Sequence, residues 1–111
     1  AVLMTEVARM ASSQPTSAGA RVTILDFWAE WCGICRLIDP VVKRIVDEHD
    51  DVGLLKIDVK QERALMDQHD VKGLPTLVFV SSSGQELERL AGTMTGKQIE
   101  TALADAYDKL A

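Results

Sequence analysis

Val22-Thr23-Ile24-Leu25-Asp26-Phe27-Trp28 is followed, after Ala29 and Glu30, by Trp31-Cys32-Gly33-Ile34-Cys35. The first of these runs is β-branched and aromatic enough to form a buried strand. Beyond the second, Ile34, Leu37, Ile38, Val41, Val42, Ile45 and Val46 recur at helical spacing, with Arg36, Asp39, Lys43, Arg44, Asp47 and Glu48 mostly on the opposite side. The only two cysteines of the 111-residue chain therefore sit where a strand ends and a helix begins. That placement predicts a redox-active dithiol.

Only the thiolate attacks a disulfide, and a helix N-terminus favours it through unpaired N–H groups and the positive end of the helix dipole. Cys32 is thereby predicted as the attacking residue. Cys35, three residues on, lies on the same side of the first helical turn, close enough to displace a mixed disulfide, and is predicted as the resolving residue. The competing reading is half of a zinc or iron–sulfur site. Such a site needs further ligands, and only His49 and His69 are candidates among the histidines, both on predicted helices away from the motif. They read as solvated helix residues, and no metal or cofactor is expected beyond the dithiol itself.

Two cysteines do not make the disulfide framework of a small secreted domain. A chain of this length can bury a sufficient core without one, so residues 1–111 are expected to form a single domain. The formal net charge of −5 opposes attraction to nucleic acid or anionic lipid. Apolar runs fall far short of the roughly 20 residues that span a bilayer. No basic segment followed by a long apolar one opens the sequence, so no signal peptide is expected in this form, a cleaved leader being the alternative.

In chain order, residues 1–21 are expected to supply a short edge strand at 1–4, a helix starting at Thr5-Glu6 and a polar loop through Ser12–Gly19. The long helix after the cysteines contains Pro40, predicted to kink it without ending it. A strand at Leu54–Val59, a helix at Glu62–His69, a strand at Leu77–Val80 and a returning strand at Glu86–Leu90 follow. The last helix is predicted to start at Thr95 with Gln98 completing a capping box. Its apolar face is Ile99, Leu103, Ala106, Tyr107 and Leu110. Parallel units followed by a terminal hairpin imply an α/β fold with a central mixed sheet and helices on both faces.

Asp26-Phe27-Trp28-Ala29-Glu30-Trp31-Cys32-Gly33 resembles the strand and active-site approach of bacterial thioredoxins. Pro40, Gly73, Leu74-Pro75-Thr76, Gly84 and Gly92 fall at matching positions, so the resemblance runs from Val22 onward. It implies the thioredoxin fold and a thiol-disulfide oxidoreductase that reduces protein disulfides. A cis Leu74–Pro75 bond beside the dithiol is implied too, with a docking surface of Trp31, Gly33, Ile34, Leu74, Pro75, Gly92 and Thr93. A carboxylate in an apolar strand is costly to bury without a partner or a task. The resemblance supplies the task, placing Asp26 behind Cys35 as the group that takes and returns its proton.

Two positions depart from the pattern. Ile34 stands where thioredoxins carry proline, and Leu54 stands where bacterial members carry a lysine near the aspartate, with Lys56 two residues on and facing the same side. The implied partners are protein disulfides and a thioredoxin reductase, with a monomer in the cytoplasm. Two alternatives compete. Gly73-Leu74-Pro75-Thr76, Gly84-Gln85-Glu86 and Gly92-Thr93-Met94 are also similar to an extracytoplasmic interchange domain fed by a membrane electron carrier. The other alternative is a thioredoxin-fold binding module without turnover.

Overall fold

The computed structural model describes residues 16–110. The strand and helix expected within the first ten residues lie outside that range. Among the described residues the order is β1 (Val22–Trp28), α1 (Gly33–Asp47), β2 (Val52–Asp58), α2 (Arg63–Gln68), β3 (Thr76–Ser81), β4 (Glu86–Ala91) and α3 (Gly96–Asp108). The sheet runs β2-β1-β3-β4. β1 is parallel to β2 and antiparallel to β3, and β3 is antiparallel to β4, giving the mixed sheet expected.

β1 is central and buried from Val22 to Phe27, which accounts for its unbroken apolar reading. Its alternate side chains feed two cores. Val22 and Ile24 pack with Ile38, Val42 and Ile45 of α1 and with Ile99, Leu103 and Ala106 of α3. Leu25 and Phe27 on the other face join Ile57, Val78 and Val80, with Leu65 and Met66 of α2 packed against them, and this cluster reaches both cysteines beyond the end of β1. Helices thus flank both faces. Asp26 shares the phase of Val22 and Ile24, on the face that α1 covers.

α1 runs through Pro40, which lies on the exposed side with Arg36, the residue whose carbonyl it leaves without a helical partner. The capping box of α3 is formed: Gln98 N–H donates to Thr95 Oγ1 at 3.2 Å and Thr95 N–H donates to Gln98 Oε1 at 2.8 Å. β2 begins at Val52, two residues before the position expected. Gly53 therefore lies inside the strand, at a place where a Cβ would collide with the Ser17 side chain. Leu37 departs from expectation as well. The buried stripe of α1 is Cys35, Ile38, Val42 and Ile45, and Leu37 stands 74% exposed.

Candidate functional site

β1 ends at Trp28, and a turn in which Cys32 N–H donates to Ala29 O at 3.0 Å carries the chain to the start of α1. Cys32 is the N-cap residue, with an extended backbone, and the Cys35 N–H donates to its sulfur at 3.2 Å. An N-cap side chain normally accepts such a bond through oxygen. Here a sulfur occupies the acceptor position, where a thiolate would be stabilised by an N–H and by the helix dipole. Cys32 and Cys35 are joined in a disulfide with Cα atoms 5.3 Å apart. The two are nearly equally buried, so their asymmetry comes from the cap and not from exposure.

The Leu74–Pro75 bond is cis, as the resemblance implies. Leu74 packs against the cluster that contains both cysteines. The Pro75 carbonyl accepts from the Gly92 N–H at 2.9 Å, and Gly92 holds φ at +84°, a conformation open to glycine and costly for most other residues. This bond ties the Leu74–Pro75 segment to the Gly92–Thr93 turn, whose next residue, Met94, is anchored in the α1–α3 core. Around the cysteines the surface is apolar and open: Trp31 is 74% exposed and Ile34 40%. Leu37, three residues beyond Ile34, extends this patch on the same helical face. An open hollow of about 320 Å³, lined by Ala29, Glu30, Trp31, Asp58 and Lys60, adjoins it.

Asp26 is 3% exposed. Burial pushes its carboxyl up to about 6, with Lys56 and Lys43 opposing and Asp39 adding to the rise. Lys56 lies directly opposite Asp26 in the β1–β2 register. Its ammonium reaches Asp39 Oδ1 at 2.5 Å and lies 4.6 Å from the centroid of the Trp28 ring. Asp39 also pairs with Lys43 at 2.9 Å. Although partial burial works the other way, hydrogen bonds from the two lysines hold Asp39 below the usual carboxylate range. Asp39, Lys43 and Leu37 were not singled out by the sequence. Leu37 alone had a readable signal, its position three residues after Ile34.

Among the described residues no group of three or more His, Cys, Asp or Glu side chains could hold a metal. His49 is exposed, as expected, but His69 is not a solvated helix residue. It follows the end of α2, is 5% exposed and packs on Phe27 with ring centroids 5.5 Å apart. Its carbonyl accepts from Arg89 Nη2 at 2.6 Å, and Nε2 is buried without a hydrogen-bond partner among the described residues. Burial lowers its pKa from 6.5, with Glu86 opposing and Arg89 adding. A depressed histidine means that the unfolded chain binds the proton first. Its contribution to stability is full above 6.5 and is lost as pH falls below that value. His69→Phe is expected to flatten this loss, read from urea midpoints near neutrality and near about pH 5 in an Asp26→Asn background that removes the opposite trend of Asp26.

The family model for thioredoxin matches residues 8–105. The thioredoxin of Malassezia sympodialis is 35% identical over 83 residues, covering 73% of this chain and 78% of that protein. The thioredoxin of Alicyclobacillus acidocaldarius subsp. acidocaldarius is 32% identical over 96 residues, with 86% and 90% covered. Among solved structures, a mutant thioredoxin from Halobacterium salinarum NRC-1 superposes with a TM-score of 0.70 at 30% identity, covering 92% of this chain and 84% of that one.

Proposed function

The chain belongs to the thioredoxin family and is a thiol-disulfide oxidoreductase, and within that activity we propose that Cys32 attacks, Cys35 resolves and Asp26 carries the proton. The Cys32 thiolate bonds to one sulfur of a protein disulfide, and the other sulfur leaves as a thiolate. Asp26 takes the proton of Cys35. The Cys35 thiolate then bonds to the Cys32 sulfur, closing the intramolecular disulfide and expelling the second substrate sulfur, which takes up the proton. Two electrons pass from the dithiol to the substrate. The observation that carries this assignment is the Cys35 N–H donating to the Cys32 sulfur at the helix N-terminus.

The docking surface in this reading is Trp31, Gly33, Ile34, Leu74, Pro75, Gly92 and Thr93, with Leu37 added. An extended peptide lies across it, its backbone against Leu74 and its apolar side chains on the Trp31–Ile34–Leu37 patch. That apolar residues so exposed gather beside the cysteines supports this use. Thioredoxin family members act on protein disulfides and are reset by a reductase. For this chain we take the donor to be a thioredoxin reductase, the compartment the cytoplasm and the acting form a single-domain monomer without a separate cofactor. No described helix is long and apolar enough to cross a membrane.

The reduction potential tests the direction of electron flow. Equilibration of the Cys32/Cys35 couple with glutathione, with thiols alkylated before separation, is expected to show a couple more reducing than glutathione. Ile34→Pro is expected to make it more reducing still. Ile34 is the second residue of α1, and its N–H is one of the free donors that favour the thiolate form; proline removes that donor at a position a helix tolerates. A wild-type couple more oxidising than glutathione would instead favour the interchange domain fed by a membrane carrier.

A further inference from the structure

Asp26 and Lys56 face each other across the parallel β1–β2 ladder, and residues so paired project to the same side of a sheet. The flexible Lys56 stem could bring its ammonium to the carboxylate beside it. It goes to Asp39 instead, at 2.5 Å, passing over the Trp28 ring. Asp39 takes Lys43 through its other oxygen, so one carboxylate of α1 holds two ammonium groups in the neighbourhood of Asp26. Ion pairs with this degree of exposure contribute little to stability. What the cluster fixes is where the charge sits.

We propose that Asp39 is a positioning residue for the proton step, holding the Lys56 ammonium off the Asp26 carboxylate so that this carboxylate stays available to take the proton of Cys35. The proposal rests on the reading of Asp26 given above. A cation in direct contact lowers a carboxyl by about one to three pH units. Asp26 in such a pair would hold its negative charge too firmly to accept a proton. With Lys56 bound to Asp39, the lysine acts on Asp26 only from a distance and burial dominates. The step then balances as before: the proton moves from Cys35 sulfur to Asp26, the Cys35–Cys32 bond forms, the Cys32–substrate bond breaks, and the expelled thiolate receives the proton. The charged groups acting on Asp26 are Asp39 and Lys43 from α1 and Lys56 from β2. From β3 its ladder partner is Leu77, which does not ionise.

Carboxyl-carbon NMR titration of Asp26 in the oxidised protein tests this, because the cysteines then do not titrate. Wild type, Asp39→Asn, Lys56→Met and the double variant are compared. Asp39→Asn is expected to lower the Asp26 midpoint by about one pH unit when Lys56 is present, and to move it little in the Lys56→Met background. An unchanged or raised midpoint in Asp39→Asn overturns the proposal. So does an equal lowering in both backgrounds, which is the signature of plain charge repulsion between Asp39 and Asp26.

A second measurement separates the premise from the proposal. Reduced wild-type protein is mixed with a chromogenic aromatic disulfide, and release of the second aromatic thiolate reports resolution by Cys35. Its pH profile is expected to follow the Asp26 midpoint and to shift to lower pH in Asp39→Asn. A wild-type profile independent of Asp26 ionisation overturns the base role of Asp26, and the role of Asp39 in the step with it. A profile that follows Asp26 in wild type while the titration cycle fails overturns the positioning role alone.

Discussion

Cys35→Ser is expected to stop turnover completely and to leave the substrate covalently attached through Cys32. The first exchange needs only the sulfur at the helix N-terminus, and that sulfur keeps its N–H donor, because residue 35 contributes its backbone and not its side chain to the bond. The second exchange needs a thiol at position 35, and a serine hydroxyl is far too weak an acid and nucleophile to replace it. A mixed disulfide should therefore accumulate. It would appear as a mass increase on intact-protein mass spectrometry and disappear with dithiothreitol. Cys32→Ser should lose turnover and form no adduct at the same substrate concentration, since the Cys35 sulfur lacks the N-cap position and the N–H donor that favour the Cys32 thiolate. A stable adduct in Cys32→Ser, with none in Cys35→Ser, would mean that the two roles are exchanged.

The placement of Cys32 at the helix start was legible in the sequence because it is local. A strand rich in β-branched residues, a Cys-x-x-Cys and an amphipathic helix place one cysteine at a helix start whatever the rest of the chain does. The capping box of α3 was legible for the same reason, since Thr95 and Gln98 recognise each other within one turn. The cis Leu74–Pro75 bond came only through the resemblance; no rule of spacing distinguishes it. Leu37 was misread because periodicity counts apolar positions without saying which stripe the sheet covers. Cys35, Ile38, Val42 and Ile45 won the buried face, and Ile34 and Leu37 were left one step around the helix. Buried His69 packs on Phe27, which the sequence does not place beside it. The Lys56–Asp39 pair joins residues seventeen apart on different elements, and their proximity follows from the docking of α1 on the sheet.

Asp26→Asn is expected to stabilise the protein at neutral pH and to slow resolution, the two effects coming from the same burial. The carboxyl is raised from 3.8 to about 6 chiefly because β1 holds it out of water. A raised carboxyl means that the native state binds the proton more tightly than the unfolded chain. Its favourable contribution is full below 3.8 and is lost as pH rises through about 6. At pH 7 the ionised native state therefore carries a penalty of about 3 kcal/mol, reduced where structure relaxes around the charge. Asparagine matches the neutral acid in shape and removes the penalty. Urea unfolding should show the variant more stable than wild type near neutrality, with the gap closing as pH falls toward 3.8. A gap that stays constant with pH would assign the gain to packing instead of ionisation. The rate of resolution should fall at neutral pH by about 10²-fold, the lower end of what positioned proton transfer contributes, since water can partly replace the carboxylate. A variant that gains stability and also resolves at the wild-type rate would show that the buried carboxylate is dispensable for proton transfer. The stability penalty and the slowed rate are expected to appear together because a carboxyl that is costly to ionise in the fold is, for that reason, a stronger base than an exposed one.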